Sequence, residues 1–213
     1  MGRSNVFRED IHLKKLASAL AVCVMLSIGS AAYGQRIDLS LGASTTTGPK
    51  ASFDAVTSAV TPSFARGTYL TFGGNVLFWH DLGANAEVTW RATRSTYDFG
   101  IFGSLPYRPL FYDFNAVYSP KFNRISPELM AGIGAESLRV YTGQTICNGF
   151  SCTNYQSSNH FAGHFGGGLK LYVKGGFFVR PEAHLYVVHN NQEFNGSLIG
   201  RYGASIGYSF GGK

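Results

Sequence analysis

The last stretch of the chain, residues 197–210, alternates between two kinds of side chain. Counting back from Phe210, every second residue is apolar or glycine as far as Leu198. The positions between them, such as Ser209 and Arg201, are small or polar. A period of two predicts a β-strand with one apolar face and one polar face. Such a strand fits a soluble sheet or a membrane barrel, and the rest of the chain must decide between them.

The N-terminus has the pattern of a secretory signal peptide. An apolar run at 16–28 is too short to cross a bilayer as a helix, and small residues precede a cleavage site that we predict after Gly34. The basic residues ahead of the apolar run are Arg3, Arg8, Lys14 and Lys15. The expected domains are therefore a signal peptide at 1–34 and an outer-membrane β-barrel at 35–213.

Charge and composition exclude several kinds of function. The predicted leader holds four of the 18 Lys and Arg residues and two of the 12 Asp and Glu residues, which leaves a net charge of +4. This mild charge includes no basic run, so no nucleic acid is expected as a partner. After the leader, no apolar stretch of about 18 residues could form a transmembrane helix. The glycine clusters at 73–74 and 166–168 lack a strand-to-helix context, so no cofactor is expected.

Eight stretches with a period of two follow the leader, and the gaps between them alternate in length. The predicted strands are 37–43, 68–79, 84–94, 110–118, 126–141, 160–173, 177–188 and 197–210. The predicted long gaps are 44–67, 95–109, 142–159 and 189–196. Short turns on the side of the termini and long loops opposite are typical of an up-and-down outer-membrane barrel.

Side-chain size favours a barrel whose aromatic residues face outwards. The apolar set contains bulky rings such as Trp90, Phe114 and Phe165, whereas the other set is rich in Gly, Ser and Thr. The interior of an eight-stranded barrel is only wide enough for side chains to fill it, so the small set fits inside. The predicted fold class is all-β, an eight-stranded antiparallel up-and-down transmembrane β-barrel. The alternative is a secreted, lipocalin-like barrel with the rings in its core.

The polar face carries charges of both signs, which predicts a polar network in the lumen. Buried acids and bases persist only when they are paired and hydrogen-bonded. We expect three glutamates to pair with three arginines: Glu87, Glu128 and Glu182 with Arg91, Arg180 and Arg201. The whole predicted network is Asp38, Glu87, Arg91, Asp113, Glu128, Glu136, Lys170, Arg180, Glu182, His184 and Arg201. Such a network would plug the lumen and leave no continuous aqueous channel.

Two cysteines remain after the leader, Cys147 and Cys152, in the sequence C-N-G-F-S-C. In an exported protein this spacing predicts a small disulfide loop. A metal site would need two further ligands, so no metal is expected.

The closing strand, Y-G-A-S-I-G-Y-S-F, and the eight-strand pattern resemble the small outer-membrane barrels of the OmpA/OmpX type. The resemblance covers nearly all of 35–213 and concerns the barrel only. It implies a location in the outer membrane of a Gram-negative bacterium, after export directed by the signal peptide. It also implies contact with outer-membrane lipid and lipopolysaccharide, and recognition of the terminal aromatic strand by the barrel assembly machinery.

The function expected from this resemblance is structural or interactive and not enzymatic: stabilising the outer membrane and presenting extracellular loops. Loops 44–67 and 142–159 are the expected binding sites for an extracellular ligand, because loops on a rigid scaffold carry recognition. One alternative is a narrow channel for small hydrophobic molecules; another is a lipid A-modifying enzyme. Candidate side chains for such an enzyme are Ser157, Ser158, His160, His164, His184 and His189, but no serine has a spacing that ties it to a histidine and an acid.

Overall fold

The structure is a computed structural model, and it describes residues 35–48, 53–54, 59–60, 66–98, 103–148, 151–190 and 196–211. The predicted signal peptide at 1–34 lies outside these residues. The strands in the described part are β1 (Arg36–Thr47), β2 (Phe53–Asp54), β3 (Ala59–Val60), β4 (Thr68–Trp79), β5 (Leu82–Arg91), β6 (Ser95–Asp98), β7 (Ser104–Tyr118), β8 (Ile125–Asn148), β9 (Ser151–Lys174), β10 (Phe177–Val188) and β11 (Leu198–Gly211). Within those ranges, no helix has the length and apolar character needed to cross a membrane.

Eight of these strands form a closed antiparallel barrel. The order around the wall is β1-β4-β5-β7-β8-β9-β10-β11, and β11 pairs back onto β1. The closing register runs from Arg36 opposite Gly211 to Thr47 opposite Gly200. The short strands β2, β3 and β6 continue the sheet beyond one edge of β7. The predicted eight-stranded up-and-down barrel is confirmed.

The two faces of the wall divide as the alternation predicted. Phe114, Phe165 and Ile206 are 66%, 57% and 63% exposed on the outside, whereas Glu87 and Arg180 are each 1% exposed in the interior. A secreted barrel with an aromatic core would show the reverse arrangement. The outer face is therefore a continuous apolar belt suited to lipid, and the alternative of a lipocalin-like core is wrong.

The connections at the end of the barrel where β1 begins and β11 ends are short. The turn between β4 and β5 places His80 and Asp81 at φ 45° and 65°, the pair of positive angles found in a type I′ hairpin turn. The turn between β9 and β10 has Gly175 at φ 60°. Positive φ carries no steric cost for glycine, so this position suits the turn.

The predicted loop at 142–159 is wrong, because this part of the chain forms paired strands. β8 and β9 are 24 residues each, and their register continues to Asn148 opposite Ser151, with one shift between Tyr141 and Ile146. β7 pairs with β8 only as far as Val140. Beyond that point β8 and β9 form a two-stranded arm, residues 141–148 and 151–155, about 25 Å long at about 3.3 Å per residue.

The predicted gap at 95–109 is also wrong. Residues 95–98 form β6, which pairs with the start of β7 at 104–107. Pro106 and Pro109 lie in β7 although proline cannot donate a hydrogen bond to a ladder. Both nevertheless take part in strand pairing, opposite Thr96 and Leu138. Smaller differences lie at β1, which extends to Thr47, and at β5, which ends at Arg91 and not at residue 94.

Candidate functional site

The lumen holds the side chains that the alternation of the sequence assigned to the polar face. Ten of the eleven predicted network residues are buried, and Arg91 is partly exposed. Each comes from a position that points inwards on β1, β5, β7, β8, β9, β10 or β11. The buried ten are Asp38, Glu87, Asp113, Glu128, Glu136, Lys170, Arg180, Glu182, His184 and Arg201.

Near the end where β1 begins and β11 ends, Lys170 joins two acids from opposite walls. Its Nζ lies 2.5 Å from Asp38 Oδ2 and also contacts Glu128. Asp38 Oδ1 accepts a hydrogen bond of 2.5 Å from the hydroxyl of Ser209. Arg36 Nε lies 3.7 Å from Asp38 Oδ2 and closes this end of the cluster. The ammonium and both carboxylates therefore keep charged partners although water is largely excluded.

Arg180 lies at the centre of the lumen and contacts three carboxylates. Its Nη1 binds Glu128, and its Nη2 lies 3.1 Å from Glu87 Oε1 and 2.7 Å from Glu182 Oε2. Arg180 Nε donates to Ser205 Oγ at 3.0 Å. A guanidinium offers five donors in a fixed plane, which suits this bridging position better than a single ammonium would.

Arg201 continues the chain of charges towards the opposite end. Its Nη2 lies 2.8 Å from Glu87 Oε2, and its Nη1 donates to Thr71 at 2.7 Å and also to Thr89. Acids and bases thus alternate across the lumen in the order Asp38, Lys170, Glu128, Arg180, Glu87, Arg201. Side chains from six of the eight barrel strands take part, so this chain of charges ties the walls together.

Imidazole, amide, carboxyl and phenol groups lie beside these ion pairs. The rings of His164 and His184 stack with centroids 5.1 Å apart, and His164 Nε2 is 2.9 Å from His184 Nδ1. His164 Nδ1 contacts Asn115 Oδ1 at 2.7 Å. Asp113 accepts from Asn115 at 2.5 Å and from the hydroxyl of Tyr186 at 3.3 Å. Both histidines therefore serve as hydrogen-bonded lumen residues.

Arg91 does not join the glutamates that the sequence analysis assigned to it. Arg180 and Arg201 bind Glu87, Glu128 and Glu182, whereas Arg91 makes no ion pair within the described ranges. Its Nε and Nη1 are buried without a hydrogen-bond partner among those residues. β5 ends at Arg91, so this side chain lies beyond the level of the charged cluster. The pairing predicted for Arg91 is wrong.

One group could be considered for a metal ion. Ligand atoms of Glu87, Glu182 and His184 lie within 4.8 Å of one another. Both carboxylates already bind the guanidinium groups of Arg180 and Arg201, so a cation would have to compete with two fixed positive charges. The donor set is therefore explained by the ion pairs that it makes.

The lumen also contains two apolar layers that the sequence analysis missed. The larger lies beyond the charged cluster, towards the end with the long connections, and the smaller lies towards the end where β1 begins. The larger consists of Tyr69, Tyr107, Phe111, Leu138, Ala162, Tyr186, Val188 and Ile199, and the smaller of Leu77, Val117 and Met130. The sequence does contain an indication of the larger layer. Phe111 lies two residues from Asp113, and Tyr69 lies two residues from Thr71, so each ring shares a strand face with a polar residue of the interior. Rings and aliphatic groups thus bracket the charges on both sides.

No protein-family model and no curated protein matches this chain. Among solved structures, Neisserial surface protein A is 11% identical, with 83% of this chain and 97% of that chain covered at a TM-score of 0.56. Ail of Yersinia pestis, in complex with the heparin analogue sucrose octasulfate, is 12% identical, with 83% and 99% covered at a TM-score of 0.51. A major outer membrane protein of Thermus thermophilus is 9% identical, with 83% and 100% covered at 0.51.

The chain has the fold of the small outer-membrane β-barrels. At these identities the likeness concerns the fold alone. As in any barrel of this type, specific chemistry has to be sought at individual residues.

The two-stranded arm of this outer-membrane-type barrel carries the cysteines. Cys147 lies opposite Cys152 in the register, and their sulfur atoms are 2.11 Å apart, at bonding distance. A two-stranded hairpin is marginally stable by itself in water. The cross-link near the tip and the tilted ring pair of Tyr141 and Tyr155, 6.0 Å between centroids, therefore support the arm.

One contact among the candidate enzyme residues was not anticipated from the sequence. Ser158 Oγ lies 3.0 Å from His160 Nε2, and Glu136 is the cross-strand neighbour of His160. Residues two apart on a strand share a face, and this spacing is the signal that could have found the contact. All three point into the barrel, away from the lipid-facing wall. His164 and His184 lie deeper in the lumen, in the stacked pair described above.

Proposed function

We propose that this protein resides in the outer membrane of a Gram-negative bacterium, where it stabilises the membrane and presents an extracellular arm. The observation that carries the proposal is the combination of a filled lumen with an apolar outer belt. Ion pairs cross the interior, and aromatic and aliphatic residues such as Phe114 and Ile206 cover the outside. A barrel of this kind is anchored by its outer belt, and ion pairs between facing walls narrow its lumen.

In this proposal the short turns, at the end where β1 begins and β11 ends, face the periplasm, and the arm of β8 and β9 lies outside the cell. The arm and the loop at 44–67 are the proposed contact points for an extracellular ligand. The solved structure of Ail contains sucrose octasulfate, so a sulfated sugar is the first probe to test on the arm. Export by the predicted signal peptide and recognition of the strand that ends at Phe210 by the barrel assembly machinery complete the proposal.

We propose no catalytic role for the hydrogen bond between Ser158 and His160. A lipid A-modifying enzyme has to bring its nucleophile to the lipid, whereas these two side chains face the interior. The channel alternative is also not favoured, because Arg180 connects carboxylates on facing walls across the middle of the lumen. Release of an acyl chain from lipid A by the purified protein would contradict this non-enzymatic assignment.

The experiment that tests the proposal has two parts. The full chain is expressed in a Gram-negative host, and the outer-membrane fraction is run on gels with and without boiling. We expect a band whose mobility changes on heating, as a folded barrel gives. Protease is then added to intact cells, and we expect cleavage within 141–155 and not within the turn at 119–124. Cleavage of that turn in intact cells, or recovery in the soluble fraction, would contradict the proposal.

A further inference from the structure

An outward-facing group of arginine and tyrosine side chains lies at the end of the barrel wall from which the arm of β8 and β9 extends. Arg108 on β7 is directly opposite Arg139 on β8. Neighbouring residues on each strand, Tyr107 and Leu138, belong to the buried interior layer, so the two arginines project to the outer face. Two like charges opposite each other on a sheet are destabilising unless something neutralises them.

Nothing in the described part of the chain neutralises this pair. Arg139 has Ser157 as its neighbour on β9, and neither arginine forms an ion pair within the described ranges. Arg108 donates to the carbonyl of Ala92 at 3.3 Å, and its Nε is buried with no hydrogen-bond partner among those residues. The guanidinium of Arg108 is therefore held in position while its Nε donor stays unused.

Two arginines of this group lie against tyrosine rings. The guanidinium of Arg94 lies 3.8 Å from the ring centroid of Tyr141, and that of Arg139 lies 5.1 Å from the centroid of Tyr155. β7 lies between β5 and β8 in the wall, so Arg94 reaches Tyr141 across the strand that carries Arg108. Cation–π contacts of this kind fix a guanidinium without consuming its donors.

The position of the group along the strands fits one level of a membrane. Arg108 lies ten residues from Tyr118, at the other end of β7. A transmembrane strand needs about 9–11 residues to cross the hydrocarbon layer. If Tyr118 lies at the periplasmic interface, Arg108 and Arg139 lie at the outer interface, at the depth of the lipid headgroups.

We propose that Arg94, Arg108 and Arg139, with Tyr141 and Tyr155, form a binding site for the phosphate groups of outer-leaflet lipid. The inference rests on the proposed membrane location and names the site of the lipid contact. Guanidinium groups bind phosphate oxygens through paired hydrogen bonds, and a phosphate between Arg108 and Arg139 removes their repulsion. Tyrosine is enriched at this depth because its ring and its hydroxyl suit the boundary between lipid and water.

The test compares lipid binding by folded variants of the full chain. Wild type, the double variant Arg108→Gln/Arg139→Gln, and a control with equal charge loss at the other rim, Lys121→Gln/Arg124→Gln, are folded into phosphatidylcholine nanodiscs. The discs contain either bis-phosphorylated lipid A or the same lipid with its phosphates removed, and bound lipid is counted by native mass spectrometry. We expect wild type and control to retain the phosphorylated lipid at least about tenfold better than the dephosphorylated one, a factor that corresponds to about 1.4 kcal/mol. The double variant is expected to lose this preference.

Several outcomes would overturn the inference. Equal retention of both lipids by wild type, or an unchanged preference in the double variant, would do so. Displacement of the lipid by soluble sucrose octasulfate at equal phosphate and sulfate concentration would assign the arginines to a soluble polyanion instead. Heat-modifiable migration is measured on the same samples. If the wild type fails to fold into the bilayer, the proposed membrane function falls and this site with it, whereas a folded barrel without preference overturns the site alone.

A charge-reversing variant separates lipid binding from a purely structural role. Arg139→Glu places a carboxylate opposite Arg108 and removes the repulsion within the pair. In discs of phosphatidylcholine alone, we expect this variant to resist urea better than wild type. In discs with phosphorylated lipid A, we expect wild type to gain resistance and the variant to gain none. Equal gains by both proteins would contradict the site.

Discussion

Arg180 is the residue whose loss should harm the interior most, because three buried carboxylates depend on it. Arg180→Ala would leave Glu87, Glu128 and Glu182 short of a positive partner. Removing one member of a buried ionic cluster costs about 3–5 kcal/mol of unfolding free energy. The measurement is urea unfolding of the protein in phospholipid vesicles, followed by tryptophan fluorescence and by the heat-dependent gel shift.

Arg124 provides the matched control for that experiment. It is an exposed arginine in the turn between β7 and β8, and Arg124→Ala should change the unfolding free energy by less than about 0.5 kcal/mol. Similar losses for both variants would show that net charge, and not the buried cluster, governs the stability.

A second prediction at the residue scale concerns glycines at which the backbone of a neighbouring strand approaches closely. A Cβ added at Gly134 would press into the backbone of Tyr112 and Asp113, with Asp113 Cα at 2.8 Å. A Cβ added at Gly163 meets nothing within 4 Å. Gly134→Ala should therefore destabilise the barrel by about 1–3 kcal/mol, as overpacking does, while Gly163→Ala should be tolerated. Thermal melting in detergent, monitored by the loss of the heat-modifiable band, checks the difference.

The polar interior was predictable from period two alone, because parity along a strand decides which side chains face inwards. Partners within the lumen were not predictable. Arg91 and Arg201 share the polar face, but only Arg201 comes within reach of Glu87. That distinction depends on strand register and tilt, which fix the height of each side chain and are not encoded in the alternation. The apolar layer around Phe111 was missed because the polar face was expected to be polar throughout.

Among the elements, the arm of β8 and β9 should depend on its disulfide more than the barrel does. In Cys147→Ser/Cys152→Ser, the arm loses the closed loop near its tip, worth about 2 kcal/mol by chain entropy. The eight-stranded wall keeps all of its pairings. We expect protease to cut residues 141–155 faster in the variant, while the remaining barrel still shows heat-modifiable migration. Mass spectrometry of the fragments locates the cuts, and equal cleavage rates in both proteins would contradict the prediction.

Strand boundaries could be predicted where an apolar face ends abruptly at a turn. The predicted 68–79 and 177–188 coincide with β4 and β10. Strand boundaries could not be predicted in the arm, because the apolar period disappears from its sequence. In the arm, hydrogen bonds between β8 and β9 maintain both strands. The residue pattern of one strand does not reveal its partner.

For the whole molecule, the crossing ion pairs and the apolar layers predict a closed lumen. The purified barrel in a planar bilayer should give no large, steady conductance, because paired charges and packed apolar side chains occupy the interior. A known open porin in the same bilayer serves as the positive control. Steady current steps from this protein would show that the lumen opens, and would favour the channel alternative.

The closing pair of strands has a consequence for how the molecule assembles. Ser209 on β11 donates to Asp38 on β1, a contact between residues 171 positions apart in the chain. Until β11 is in place, Asp38 lacks the hydrogen bond from Ser209. Asp38 and its partner Lys170 would then face either water or lipid on that side. Completion of the wall and satisfaction of the buried charges thus become one event. A partly inserted chain is then a high-energy state, because its buried charges lack partners. Pairing of β11 with β1 removes that state.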